Sequence, residues 1–149
     1  MQRMNQKEEI TVVGVELRTN NAEALQSIPA FWKTFHEENK LALLTDKESV
    51  DIYAVYSNYE NAGYSSDGDY SLILGVTSDE FTKEMDGLVE VLLPAQDYMV
   101  FGVSENSIDN VGQTWKAILN NRILERTFDA DYECYKSNGY IDILVGIRD

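Results

Sequence analysis

Apolar residues change their spacing several times along this chain, and each change marks an element. Ile10 to Leu17 (Ile-Thr-Val-Val-Gly-Val-Glu-Leu) is dense in β-branched residues and predicts a strand, broken at Asn20-Asn21. Ile28, Phe31, Trp32 and Phe35 then fall at i, i+3, i+4 and i+7, the apolar stripe of a helix. Ser27 is the expected N-cap of that helix, with Pro29 just after it in the first turn, where a missing N–H is tolerated. Leu41 to Ser49 reads as a connector. Ile52 to Tyr59 and Tyr70 to Val76 read as paired strands, joined through the polar stretch Asn61 to Asp69 with its Gly63 and Gly68. Ser78 to Gly87 is charged and predicts a loop. Leu88 to Pro94 is apolar and extended, Gln96-Asp97 interrupts, and Tyr98 to Val103 is again strand-like. Val111, Trp115, Ile118 and Leu119, at i, i+4, i+7 and i+8, predict a second helix. Asp131 to Tyr135 and Tyr140 to Ile147 form the last hairpin, turned at Ser137-Asn138-Gly139, and Asn-Gly is the strongest turn signal in the chain.

The second half echoes the first. Trp32-Lys33, Tyr53-Ala54-Val55-Tyr56 and Gly75-Val76 recur, in order, as Trp115-Lys116, Tyr132-Glu133-Cys134-Tyr135 and Gly146-Ile147. Such a repeat predicts two β-α-β-β units, about residues 8–77 and 88–149, within one α+β domain. The units are expected to share a mainly antiparallel sheet with both helices on one face. The opposite face is expected to stay partly free, and a groove to form where the halves meet. Where the first copy has Ala54 the second has Glu133, so the groove would carry one unmatched carboxylate.

Strand alternation puts Asp131, Glu133 and Tyr135 on one face and Tyr132 and Cys134 on the other; Ala54 and Tyr56 share a face in the same register. Two readings of Glu133 stand. It is a solvated residue on an open sheet face, or it is a carboxylate among aromatic rings, which suits a lipophilic cation. The tryptophans also have two readings: both are core, or one indole, Trp115 being the better placed, reaches the groove. Tyr53 and Tyr132 are expected to pack under the helices. Tyr56, Tyr59, Tyr98 and Tyr135 are expected on the ligand side, which makes Glu133, Tyr135, Tyr56, Tyr98 and Trp115 the candidate binding set. Cys134 is expected inward and inert, and His36 on the surface.

Composition narrows the classes. The chain has 149 residues, with 12 Lys+Arg against 26 Asp+Glu, a formal net charge of -14. So acidic a surface repels phosphates, and direct nucleic-acid binding is not expected. One cysteine and one histidine leave little material for a disulfide, a zinc cluster, another metal site or a Ser-His triad. No phosphate-cradling glycine loop is present, and no cofactor is expected. Residues 1–9 are polar, without the apolar core of a signal peptide, and no apolar run is long enough to span a bilayer. A cytoplasmic location is the expectation.

With these segments in hand, the chain resembles the GyrI-like domain, also the effector-binding module of AraC-type and MerR-type bacterial regulators. The resemblance rests on Ile28-Pro-Ala-Phe-Trp32, Ile52-Tyr-Ala-Val-Tyr56, Tyr70 to Val76, Leu93 to Phe101, Trp115-Lys-Ala-Ile118 and Asp131-Tyr-Glu-Cys-Tyr135, and covers nearly the whole chain. It implies a duplicated β-α-β-β fold whose acidic residue, here Glu133, faces cationic, lipophilic aromatic compounds in a stand-alone effector-binding or drug-sequestering protein linked to transcription. Two other outcomes occur among such stand-alone relatives: hydrolysis of cyclopropane-bearing genotoxic compounds by the groove glutamate, and binding to a protein partner, such as DNA gyrase or a separate transcription factor.

Overall fold

The structure, a computed structural model, describes residues 1–149. Its strands are β1 (Gln2–Asn5), β2 (Ile10–Asn20), β3 (Ile52–Ser57), β4 (Asp69–Thr77), β5 (Val89–Leu93), β6 (Asp97–Gly102), β7 (Arg126–Tyr135) and β8 (Ile141–Ile147); its helices are α1 (Ala24–Glu37) and α2 (Val111–Leu119). All eight strands form one antiparallel sheet in the order β1-β6-β8-β7-β3-β4-β2-β5. The order is symmetric about the β7–β3 seam, where Ala54 pairs directly with Glu133, the two positions the sequence echo equates.

Each expected strand is present, and the Asn138-Gly139 turn closes β7 onto β8 with Gly139 at φ +96°, the left-handed region that glycine enters without a Cβ penalty. The start of α1 differs from expectation. The helix begins at Ala24, its N-cap position is Glu23, and Ser27 lies inside it, its hydroxyl 2.6 Å from that of Thr19. Pro29 therefore sits in the second turn, on an exposed side, where the carbonyl of Leu25 that loses its N–H partner is open to water. One strand had no sequence signal: β1 is polar, and pairing with β6 holds it, through Arg3 donating to Asp97 at 2.6 Å and Asn5 to the same carboxylate at 2.6 Å.

Both helices cover one face. Ile28, Phe31, Trp32 and Phe35 of α1 pack on Val13, Ala54, Leu72, Leu74 and Val76, while Val111, Trp115 and Ile118 of α2 pack on Ile141, Ile143 and Val145. Tyr135 touches both clusters.

The opposite face is not partly free, and chain connectivity explains why. From Asn5 to Ile10 the chain reaches at most about 18 Å, yet β1 and β2 stand six strand spacings apart, about 29 Å in a flat sheet. The same holds for the link from Leu93 to Asp97, which reaches about 14 Å between strands six spacings apart. The sheet must curl until its ends meet. They do so over the back face, where the Gln6 N–H donates to the Gln96 carbonyl at 3.0 Å and Tyr132 donates its hydroxyl to Gln6 at 3.0 Å. A second core is enclosed there, including Val12, Val55, Ile73, Leu93, Tyr98, Tyr132 and Cys134. Tyr53 and Tyr132, expected under the helices, thus lie on the face away from them, stacked with ring centres 5.7 Å apart.

Candidate functional site

The seam between the two units places a carboxylate under aromatic cover. Glu133, in β7, is 2% exposed and accepts three hydrogen bonds, all from neutral donors. Tyr135 donates to Oε1 at 2.6 Å; Trp115 Nε1 and the Tyr56 hydroxyl donate to Oε2 at 2.6 and 3.0 Å. Alternation along β7 and β3 aims these side chains toward the helices, and the i, i+4, i+7 stripe of α2 brings the Trp115 indole down onto them.

The cage is built twice over. Trp32 of α1 meets the Tyr135 ring edge-on at 5.0 Å, and Trp115 of α2 meets the Tyr56 ring edge-on at 5.3 Å. In each case a helix of one unit contributes the indole and a seam strand of the other the phenol. The symmetry fails only where the sequence does: Ala54 stands opposite Glu133, so Trp115 finds a carboxylate while Trp32 makes no hydrogen bond to the protein.

Burial drives the electrostatics. It pushes the Glu133 carboxyl above its ordinary range, and the hydrogen bonds from Tyr135, Trp115 and Tyr56 oppose that shift without cancelling it. Burial, and then the nearby Glu133 charge, raise the Tyr56 and Tyr135 hydroxyls, so both stay protonated as donors.

Two residues along the same face stands Asp131, fully buried and differently served. Arg126 Nη2 donates to its Oδ2 at 2.8 Å and the Tyr59 hydroxyl to the same oxygen at 2.6 Å, while the Gly146 N–H donates to Oδ1 at 2.8 Å. Arg126 reaches it because β7 slips register between Arg126 and Asp131, with Phe128 at φ +49° in the bulge. The guanidinium lies 4.3 Å from the Phe128 ring centre and 6.0 Å from that of Trp115.

Of the candidate binding set, Glu133, Tyr135, Tyr56 and Trp115 meet in one site. Tyr98 does not: it is wholly buried on the opposite face against Tyr132, donating to the Pro94 carbonyl at 3.0 Å, and burial pushes its hydroxyl up to about 12. On β6 its side chain points to the face away from the helices, contrary to the ligand-side expectation. Tyr59 sits beside Asp131 rather than Glu133, with its hydroxyl raised by burial and by that carboxylate. Cys134 is buried in the back core, its thiol pushed up to about 11 by burial. His36 is exposed and stacks on Trp32 at 5.6 Å. Three neighbours were missed: Trp32, Asp131 and Arg126. The tryptophan echo and the alternation of β7 pointed to the first two, whereas a register slip leaves no periodic trace for Arg126. No group of three or more His, Cys, Asp or Glu side chains is placed to hold a metal ion, and no helix is long and apolar enough to cross a membrane.

The profile of the integron-associated effector binding protein family (Cass2) matches residues 3–147. An integron cassette protein from the mobile metagenome of Vibrio cholerae superposes with a TM-score of 0.74 at 23% identity, over 99% of this chain and 94% of that one. A candidate bacterial transcription regulation protein from Staphylococcus aureus MU50 gives 0.70 at 20%, over 99% and 96%. A third protein, solved bound to tetraphenylphosphonium, gives 0.72 at 20%, over 99% and 94%. At these identities the likeness establishes the fold, an α+β architecture with an antiparallel sheet. No curated protein matches the chain.

Proposed function

As the chain belongs to the integron-associated effector-binding protein family, we propose that it binds lipophilic aromatic cations, with Glu133 neutralising the charge and Tyr56, Tyr135 and Trp115 forming the walls. The observation that carries this reading is a buried carboxylate with three neutral donors and no cation of its own. A buried ionised carboxylate is costly without a partner of opposite charge, and a ligand cation would be that partner. Its charge should be spread over an apolar body, because a compact ammonium loses more hydration on burial. The solved relative bound to tetraphenylphosphonium holds a ligand of this chemistry.

Glu133 is closed off in the free protein, so binding must displace aromatic cover. Losing the indole hydrogen bond to a charged acceptor costs about 1.5–3 kcal/mol. Cation–π contact returns about 0.5–2 kcal/mol, and apolar area about 25 cal/mol per Å², so a ligand of several rings can open the cage where a small one cannot.

Titration calorimetry with tetraphenylphosphonium and with neutral tetraphenylmethane-type analogues, on wild type and Glu133→Gln, tests this. Saturable binding of the cation alone, weakened in the variant, is expected; equal affinity in both proteins overturns it. A second reading, hydrolysis of strained electrophiles, draws on the raised Glu133 carboxyl, which suits a general acid. Turnover of a cyclopropane-bearing compound that vanishes in Glu133→Gln would support it, and unchanged substrate after prolonged incubation would remove it.

A further inference from the structure

The floor of the cage is charged at one end only. Three cross-strand pairs line the helix-covered side of the β3–β7 seam: Ile52 beside Tyr135, Ala54 beside Glu133, and Tyr56 beside Asp131. The echo equates Ile52 with Asp131 and Ala54 with Glu133, so one unit contributes both carboxylates and the other an isoleucine and an alanine. At the Tyr56–Asp131 end, the Arg126 guanidinium already occupies the acid, and it also lies near the Trp115 ring. At the Ile52–Tyr135 end, the neighbours include Trp32 and Phe35, and His36 is exposed against the Trp32 ring. One negative charge on this floor is left without a built-in cation, and it stands at the middle.

We propose that the site selects ligands with a single positive charge at one end of an aromatic body, the charge at Glu133 and the body toward Trp32, Tyr135 and Ile52, and that Ala54 and Arg126 are the residues that refuse a second charge. The proposal rests on Glu133 being the seat of the cation. A second charge directed toward Ile52 would be buried without a partner, which is far more costly than burying a ring there. Directed the other way, it would meet Arg126 and be repelled at short range through a poorly screened interior. Trp32 has no acceptor of its own and is covered by the exposed His36 ring and the Tyr135 edge, which an aromatic body can displace, whereas Trp115 is tied to the carboxylate.

The test uses two cations of nearly the same shape, 1-methyl-4-phenylpyridinium with one charge and N,N′-dimethyl-4,4′-bipyridinium with two, each titrated calorimetrically beside tetraphenylphosphonium. Wild type is expected to bind the singly charged member at least tenfold more tightly. In Ala54→Glu that preference is expected to shrink or reverse. Equal affinities in wild type overturn the proposal while leaving the Glu133 reading in place; no binding of either single-charge cation overturns both. Because Ala54 is fully buried and Ala54→Glu can fail to fold, orientation supplies a second measurement. The 4-bromophenyl derivative of the monocation should quench Trp32 fluorescence in Trp115→Phe and leave Trp115 fluorescence nearly unchanged in Trp32→Phe. Preferential quenching of Trp115 overturns the proposal.

Discussion

Asp131 and Glu133 stand two residues apart on one face of one strand, both buried, and the fold serves them in opposite ways. Asp131 is satisfied from within: a guanidinium, a phenol and a backbone N–H saturate it, and the positive charge it needs is Arg126 of the same chain. Glu133 receives as many hydrogen bonds, from two phenols and an indole, but none brings a charge. The difference teaches where to look for a binding group. A buried carboxylate with its own cation is an internal joint. One held only by neutral donors has an electrostatic debt that a ligand can settle, and aromatic rings around it make that ligand's body predictable.

The comparison breaks most sharply by mutation. Asp131→Asn leaves Arg126 buried and unpaired, so a loss of about 3–5 kcal/mol in urea-unfolding stability is expected. Glu133→Gln should unfold near the wild-type denaturant concentration and fail elsewhere, with tetraphenylphosphonium affinity down about 10- to 100-fold, or ~1.4–2.8 kcal/mol. If Asp131→Asn were instead well folded and binding-deficient while Glu133→Gln unfolded, the two roles would be exchanged.

Trp115 and Trp32 give a milder contrast of the same kind. Trp115→Phe deletes a hydrogen bond to the carboxylate and should lower stability by about 1.5–3 kcal/mol. Trp32→Phe deletes only ring area, and chemical denaturation should show a smaller loss. Equal losses would mean that the indole–carboxylate bond adds nothing net to the folded state.

Much of this architecture was legible because it follows local periodicity. The alternation of β7 sorts Asp131, Glu133 and Tyr135 from Tyr132 and Cys134, and the echo alone singles out Ala54 against Glu133. What escaped depends on distant partners. β1 carries no strand pattern of its own, since its place is set by β6. The enclosed back face follows from two links too short for a flat sheet, and that constraint needs the strand order, which periodicity does not supply. Tyr98 was assigned to the wrong face for the same reason: the alternation of an isolated strand fixes two faces but not which of them meets the helices. Arg126 lay beyond a register slip, where alternation stops being informative.

The smallest effect is the pH dependence that Glu133 imposes. Burial holds Glu133's carboxyl above its ordinary value, the three hydrogen bonds only partly opposing it. Below about pH 4.3, where an unfolded glutamate is protonated, folded and unfolded states both carry the proton and the group adds no slope. As pH rises from there to the folded value, the unfolded chain releases the proton first. The folded state then binds more protons, so stability falls with rising pH until the folded carboxyl has also ionised, and stays level above that. Exposed carboxylates titrate over part of the same range, so the quantity to follow is the wild-type stability minus that of Glu133→Gln, from pH 4 to 8 in urea. It should decline through this interval. Cation affinity should move the opposite way, rising as Glu133 ionises, with a midpoint displaced upward in Trp115→Phe because a hydrogen bond that favours the anion is gone. A proton and a ligand cation would then be alternative settlements of the same charge. A stability difference that does not decline, together with pH-independent affinity, would show instead that Glu133 is ionised throughout, its three neutral donors sufficing without a cation.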